Sequence, residues 1–364
     1  MTDTTDHPMP RAPRLPPPGW LPDPSSPHLE RYWDGARWTP RLRHRDTGLE
    51  FRVGPAPRQR RPHGVLRFGA WTAGLAVLVL GLGWFGMLPS WVPYSETIAR
   101  EAPSGPSVAY PVFGSDDLVQ YLARSMVAQE ERIDVSYWVH SQGASTDDVW
   151  DALQEASAQN PYVFVSEWHQ SASVATAEVR PTYIYDDAEA ERRRTETRVA
   201  VQTALADTGA ALVASDTGKA TAIHDYITGH ATYDYEAFDA IEATGGLEIT
   251  PRIARSQEAY GILVDGTAVC NGYAQAFALL ADAVGLESVI VTGEANGGVY
   301  TGSHAWNRVS IDGEWMIVDA TWNDHDAVVA GRDYFLLEEG HPLLNTRTAG
   351  DGWVVDSERA KYFN

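Results

Sequence analysis

The hydrophobic pattern changes character along the chain. From Phe68 to Leu88, 21 consecutive residues (FGAWTAGLAVLVLGLGWFGML) carry no charge. At about 1.5 Å per residue, such a run makes a helix about 31 Å long, the thickness of a bilayer's hydrocarbon core. Trp71, Trp84 and Trp91 lie near its ends, where interfacial aromatics belong. The pattern predicts a single transmembrane helix over 68–88. Arg58, Arg60, Arg61 and Arg67 precede the span, so the positive-inside rule predicts a cytoplasmic N-terminus and an extracytoplasmic 90–364. The run starts too late, and lacks a clear small-x-small sequence after it, to read as a cleaved signal peptide.

Beyond the span the apolar positions take on shorter periods. A 3.6-residue repeat predicts helices over 116–127, 146–159, 186–214, 217–229 and 270–284. Alternation predicts strands over 133–139, 160–173, 173–185, 288–292 and 304–311. Asp312-Gly313 is a strong hairpin signal, which makes 315–321 the return strand. The charge run Glu189, Glu191, Arg192, Arg193 and Arg194 reads as the solvated face of a helix.

Composition sharpens this organisation. Of the net charge of −21, residues 1–67 contribute +5 and residues 68–364 contribute −26. The two sides of the span are therefore chemically different compartments of the chain. So acidic an exported part would be repelled by phosphates, which excludes nucleic acid as a partner. One cysteine excludes an intramolecular disulfide framework and multi-cysteine metal sites, and no metal or cofactor is expected. The 364 residues, 44% of them hydrophobic, are enough for about two domains with real cores.

Residues 1–16 are a Pro-rich tail expected to be disordered, and 41–67 read as a basic linker. Between them, residues 17–40 (PPGWLPDPSSPHLERYWDGARWTP) predict a small β-rich module with three tryptophans. Its Pro18, Gly19, Trp20, Pro22, Asp23, Pro24, Arg31, Tyr32, Trp33, Asp34, Gly35 and Trp38 resemble the short Trp-rich domain of unknown function that precedes membrane spans in many actinobacterial proteins. That resemblance implies no chemistry; it implies either a docking module for a cytoplasmic protein or a small stability element.

The candidate chemistry lies in 216–364. Cys270 stands where a helix is predicted to begin, and there the helix dipole and free backbone N–H groups favour a thiolate. The same N–H groups can hold an oxyanion. A two-residue turn at Asp312-Gly313 pairs Ile311 with Glu314 and sets Trp306 opposite Asp319. His304 shares a face with Trp306 because strand side chains alternate with period two, so Asp319 is a diagonal neighbour of His304. The register alone predicts a His–Asp dyad in need of a nucleophile. Taken singly, each residue is as readily structural: a buried cysteine, a core histidine, a turn-capping aspartate.

Together with their neighbours these residues resemble the bacterial transglutaminase-like domain of the papain-like superfamily. The motifs are Ala268-Val269-Cys270-Asn271-Gly272-Tyr273-Ala274, Val291-Thr292-Gly293, His304-Ala305-Trp306-Asn307 and Val318-Asp319-Ala320-Thr321-Trp322-Asn323-Asp324. Ile223-His224-Asp225-Tyr226 and Tyr233-Asp234 upstream, and Asp333-Tyr334-Phe335 downstream, also match. Asn271 and Asn323 depart from the more frequent residues. The resemblance implies an α+β fold, with the Cys-bearing helix packed on an antiparallel sheet that bears the His and Asp. It implies a Cys270–His304–Asp319 triad. Tyr260, Asn271, Tyr273 and Trp306 are separate candidates for the substrate pocket or oxyanion site.

His224 and Asp225 read as packing and hydrogen bonding, and the Asn323–Asp326 run as turn capping rather than cation binding. The 95–215 segment is expected as a mixed α/β part of the ectodomain, preceding the catalytic domain. The expected function is a membrane-anchored cysteine acyltransferase or peptidase acting on peptide or protein amides at the cell surface or wall. Two alternatives stay open: a non-catalytic surface binding or assembly module on the same fold, and a scaffold or sensor that signals through the Trp-rich module.

Overall fold

A computed structural model of the chain describes residues 17, 19–23, 26–33, 38–45, 50–52, 102–173, 176–245, 248–296, 301–324, 331–350 and 353. The tail 1–16, the span 68–88 and most of the linker 41–67 lie outside the described residues. Among those described, no helix is long and apolar enough to cross a membrane. The chain divides into two compact units, Met1–Thr72 and Ala73–Asn364.

In the first unit, β1 (Gly19–Asp23), β2 (Ser26–Trp33), β3 (Trp38–His44) and β4 (Glu50–Arg52) form an antiparallel meander in chain order. Trp20 pairs with Tyr32 across β1 and β2, and their rings meet edge to face at 5.3 Å. Arg41 lies over both rings and Arg43 over Trp20, so cation–π contacts tie β3 to that pair. The sheet runs on to Arg52, past residue 40 and into the stretch the sequence reads as linker.

Among the described residues of the second unit, the first helix is α1 (Asp117–Val127), capped by the Asp116 side chain. The alternation of 133–139 yields only a two-residue strand, β5 (Ile133–Asp134), followed by a helical turn over Tyr137–Gln142. The physical reason is local: Asp134 accepts from Ser136 N and folds the chain over. Next come α2 (Thr146–Gln159), with a complete capping box at Ser145 and Asp148, and the hairpin of β6 (Val165–Ala172) and β7 (Ala177–Tyr183).

A long helix, α3 (Asp187–Thr208), ends at Gly209 rather than running to 214. Its charge run is not wholly solvated. Arg193 is buried against Glu258 at 2.9 Å, and buried Arg194 donates to the Tyr162 carbonyl. Burying a guanidinium requires such partners.

There follow α4 (Asp216–His230), β8 (Thr232–Tyr233), α5 (Tyr235–Thr244), α6 (Pro251–Ser256) and β9 (Thr267–Ala268), which pairs in parallel with β8. Then come α7 (Cys270–Ala283), β10 (Ser288–Asn296), β11 (Thr301–Ile311), β12 (Glu314–Val318), the short α8 (Ala320–Asn323) and β13 (Arg347–Ala349). The last four strands form one antiparallel sheet in the order β12-β11-β10-β13.

Helix α7 is the centre of this unit. From Gly272 to Ala281 every residue is buried, which is why its sequence has no polar stripe. The pleat of β11 divides its side chains. Ala305 packs with Ala274 and Ala278 of α7, and Asn307 donates to the Ala274 carbonyl. Trp306 turns to the other face, among Val289, Val291, Ile317 and Trp353. One core cluster joins Leu122, Met126 and Leu153 to Ile223, Phe277 and Leu280. The core therefore does not divide at residue 215.

Candidate active site

The hairpin places the dyad. Asp312 (φ 53°) and Gly313 (φ 88°) form the tight turn between β11 and β12, and Ile311 pairs with Glu314. The ladder continues to Asn307↔Val318 and stops one residue short of Asp319. Residues 319–321 do not continue the return strand that the sequence predicts over 315–321, because Asp319 turns the chain into α8. Its Oδ1 accepts from Trp322 N at 3.0 Å. Its Oδ2 accepts from His304 Nε2 at 2.8 Å. One carboxylate thus caps a helix and holds an imidazole.

Cys270 completes the group. It is the first residue of α7, and the cap residue Val269 offers no side chain to the helix's free N–H groups. The half-buried thiol packs beside Ala274, Ala278, Ile290 and Ala305, close enough to His304 to help raise that imidazole's basicity. Since Nε2 of His304 faces Asp319, Nδ1 is the nitrogen left for the thiol. Gly272 lets the helix start this close to the preceding loop. A Cβ there would stand 2.9 Å from the carbonyl oxygens of both Ser256 and Glu258.

The electrostatics favour an ion pair. Burial by itself pulls the His304 imidazolium down. The Asp319 carboxylate, its hydrogen bond and Cys270 outweigh that and raise it from 6.5 to about 10. Burial likewise pushes Asp319 up, but His304, Arg347 and the Trp322 N–H hold it below the ordinary carboxylate value of 3.8. His304 is therefore protonated through neutral pH beside an ionised Asp319.

The remaining residues singled out by the sequence have other occupations. The Tyr260 hydroxyl donates to Glu196 at 2.7 Å and accepts from Arg192, so α3 engages it. Asn271 donates to the Gln257 carbonyl at 2.9 Å and braces the loop before α7. Tyr273 is 1% exposed and donates to Asp324. Trp306 is 3% exposed and stacks on His304 at 5.9 Å. Tyr273 and Trp306 are thus walls of the core and not of an open groove.

His224 is wholly buried, and burial lowers its basicity. Its Nε2 meets Asn323 Nδ2 at 2.9 Å, and Asn323 Oδ1 accepts from Tyr334 N. This chain braces the turn that carries Asp319. Two neighbours of the dyad were not singled out by the sequence. Trp322 lies 5.2 Å from the His304 ring, and Arg347 donates to Asp319 Oδ2 at 2.7 Å. Among the described residues, no three His, Cys, Asp or Glu side chains are grouped to hold a metal ion.

Residues 203–320 match the family model of the transglutaminase-like superfamily, and residues 18–59 match a protein family of unknown function, DUF2510. Over 116 residues the chain is 34% identical to the kyphoscoliosis peptidase of Mus musculus. That match takes in 30% of this chain and only 16% of the mouse protein's length. A solved structure titled as a TGase shares 17% identity, with a TM-score of 0.30, over 49% of this chain and 48% of its own. A solved protein from Cytophaga hutchinsonii shares 16%, with a TM-score of 0.29, over 52% of this chain and 68% of its own. Residues 203–320, within a unit of mixed helix and sheet, are thus similar to the transglutaminase-like superfamily.

Proposed function

We propose that this chain is a membrane-anchored, extracytoplasmic cysteine enzyme that opens peptide or protein amide bonds through a thioacyl intermediate. The observation that carries the reading is the meeting of Cys270, His304 and Asp319, with a single carboxylate oriented on the imidazole. The uncharged 68–88 run and the arginines before it support the anchor and its direction. Residues 17–40 then face the cytoplasm as a docking module for another protein, and the acidic exported part meets peptide and not nucleic acid.

In this mechanism the Cys270 thiolate attacks the amide carbonyl carbon. A C–S bond forms, and the carbonyl electron pair moves onto oxygen, facing the N–H groups at the start of α7. The tetrahedral species collapses, the C–N bond breaks, and His304 Nδ1 gives its proton to the leaving amine. Water or a second amine then attacks the thioester while His304 takes up the incoming proton. The Cys270 thiolate is released. Water gives hydrolysis; an amine gives transfer.

The test incubates the full-length chain, in detergent, with a library of glutamine-containing and blocked peptides plus a fluorescent primary amine. Intact-mass analysis is expected to find an acyl adduct on Cys270, and the products then sort transfer from hydrolysis. No adduct and no product from any peptide would contradict the enzyme reading and favour a binding module.

A further inference from the structure

Arg347 reaches the site from the far edge of the sheet. It lies on β13, which pairs with β10 through Gly293↔Ala349 and Ala295↔Arg347. On its other side Gly293 pairs with His304. Gly293 makes the approach feasible: a Cβ there would stand 2.1 Å from the Thr348 carbonyl oxygen. The glycine of the Val291-Thr292-Gly293 motif is thus the point where β13 docks beside the histidine.

The Arg347 side chain is 3% exposed. Its guanidinium lies over Trp322 at 4.2 Å, Tyr334 at 5.0 Å and Trp306 at 5.4 Å. Nη1 donates to Asp319 Oδ2, the oxygen that also accepts from His304. Nε and Nη2 are buried and find no hydrogen-bond partner among the described residues. A buried guanidinium with two idle nitrogens is held there by one carboxylate and three rings. That is a costly arrangement for stability alone, since an apolar side chain would fill the cage.

We propose that Arg347 is a positioning residue of the Cys270–His304–Asp319 group. It fixes the shared oxygen of Asp319 against His304 and balances the carboxylate's buried charge. The inference rests on the catalytic reading above. Charge neutrality couples Arg347 to the thiol. Among the described residues, the titratable and charged groups facing this site include Cys270 from α7, His224 from α4 with Asp225 and Arg332 beside it, Asp319 after β12, Tyr334, and Arg347 from β13. With His224 neutral, Arg347 cancels Asp319, so a Cys270 thiolate beside a His304 imidazolium adds no net charge. Without Arg347 the same ion pair forms next to an uncompensated carboxylate. The thiolate is then harder to form in acid.

The test measures the rate of Cys270 alkylation by iodoacetamide from pH 4 to 9 on the full-length chain. Its single thiol makes assignment automatic. Arg347→Gln is expected to slow alkylation about tenfold on the acid limb, which is one pH unit of displacement. Arg347→Lys, which keeps the charge, stays within about threefold of the wild type. A Gln curve that overlies the wild type would overturn the inference. If the Gln variant does not fold by circular dichroism, the Lys variant decides. A rate within about threefold of wild type upholds the inference, and a fall as deep as that of His304→Ala overturns it. Coincident wild-type and His304→Ala curves would instead indict the catalytic reading itself.

Discussion

Cys270→Ala is expected to lower turnover of any peptide substrate by a factor on the order of 10^4 or more, with the fold intact. The chemistry has no substitute nucleophile: Cys270 is the only thiol in the chain. The fold survives because alanine is the best helix former and the site is already lined by Ala274, Ala278 and Ala305. Removing one sulfur from a half-buried position costs about 1 kcal/mol, within the usual range for single substitutions. Thermal unfolding followed by circular dichroism checks the second half of the statement, and product formation checks the first. Undiminished turnover in a well-folded Cys270→Ala protein would end the thioacyl mechanism.

Asp319→Asn is expected to damage both activity and stability, for separable reasons. The Asn side chain can still cap α8 through its oxygen, so the turn itself survives. The group replacing Oδ2 becomes a donor aimed at two donors, His304 Nε2 and Arg347 Nη1. The imidazole is left in the wrong tautomer, a change that costs about 10^4-fold in serine proteases. The guanidinium is left buried without its counter-charge, which costs about 3–5 kcal/mol.

Stability against pH makes the effect specific. In the wild type, His304 is raised, so its contribution is full below 6.5 and is lost as pH rises towards about 10. Asp319 is lowered, so its contribution is full above 3.8 and is lost as pH falls through its depressed value. Asp319→Asn should flatten both flanks of the stability curve. A variant as stable as the wild type, with the same two flanks, would show that the carboxylate does not carry these contacts.

Sequence-legible features are those with short-range causes. The Asp312-Gly313 turn fixes the register of β11 and β12, and that register alone predicts the His304–Asp319 pair. The start of α7 at Cys270 follows from the buried helical run behind it. The path of Asp319 was only half legible: period-two logic carries the strand through Thr321, whereas the carboxylate's own capping contact ends it at Val318.

Long-range contacts left no local trace. Arg347 lies 28 residues after Asp319 and joins the site by pairing with the opposite edge of β10. Only Gly293, a residue too small to need explaining by itself, hinted that another strand docks there. Arg193 and Arg194 sit in a charge run that reads as solvated, yet Glu258 and the Tyr162 carbonyl draw them inward. Tyr260, Tyr273 and Trp306 are aromatic residues near the motif in sequence. Proximity in sequence cannot tell a groove wall from a core wall.

The most direct measurement of the central claim is the alkylation rate of Cys270 by iodoacetamide at pH 6, in the full-length wild type and in His304→Ala. If a His304 imidazolium held by Asp319 stabilises the thiolate, the wild type reacts at least about tenfold faster than the variant. Equal rates in the two proteins would mean that histidine and cysteine are neighbours without being partners, and the proposed catalytic group would not stand.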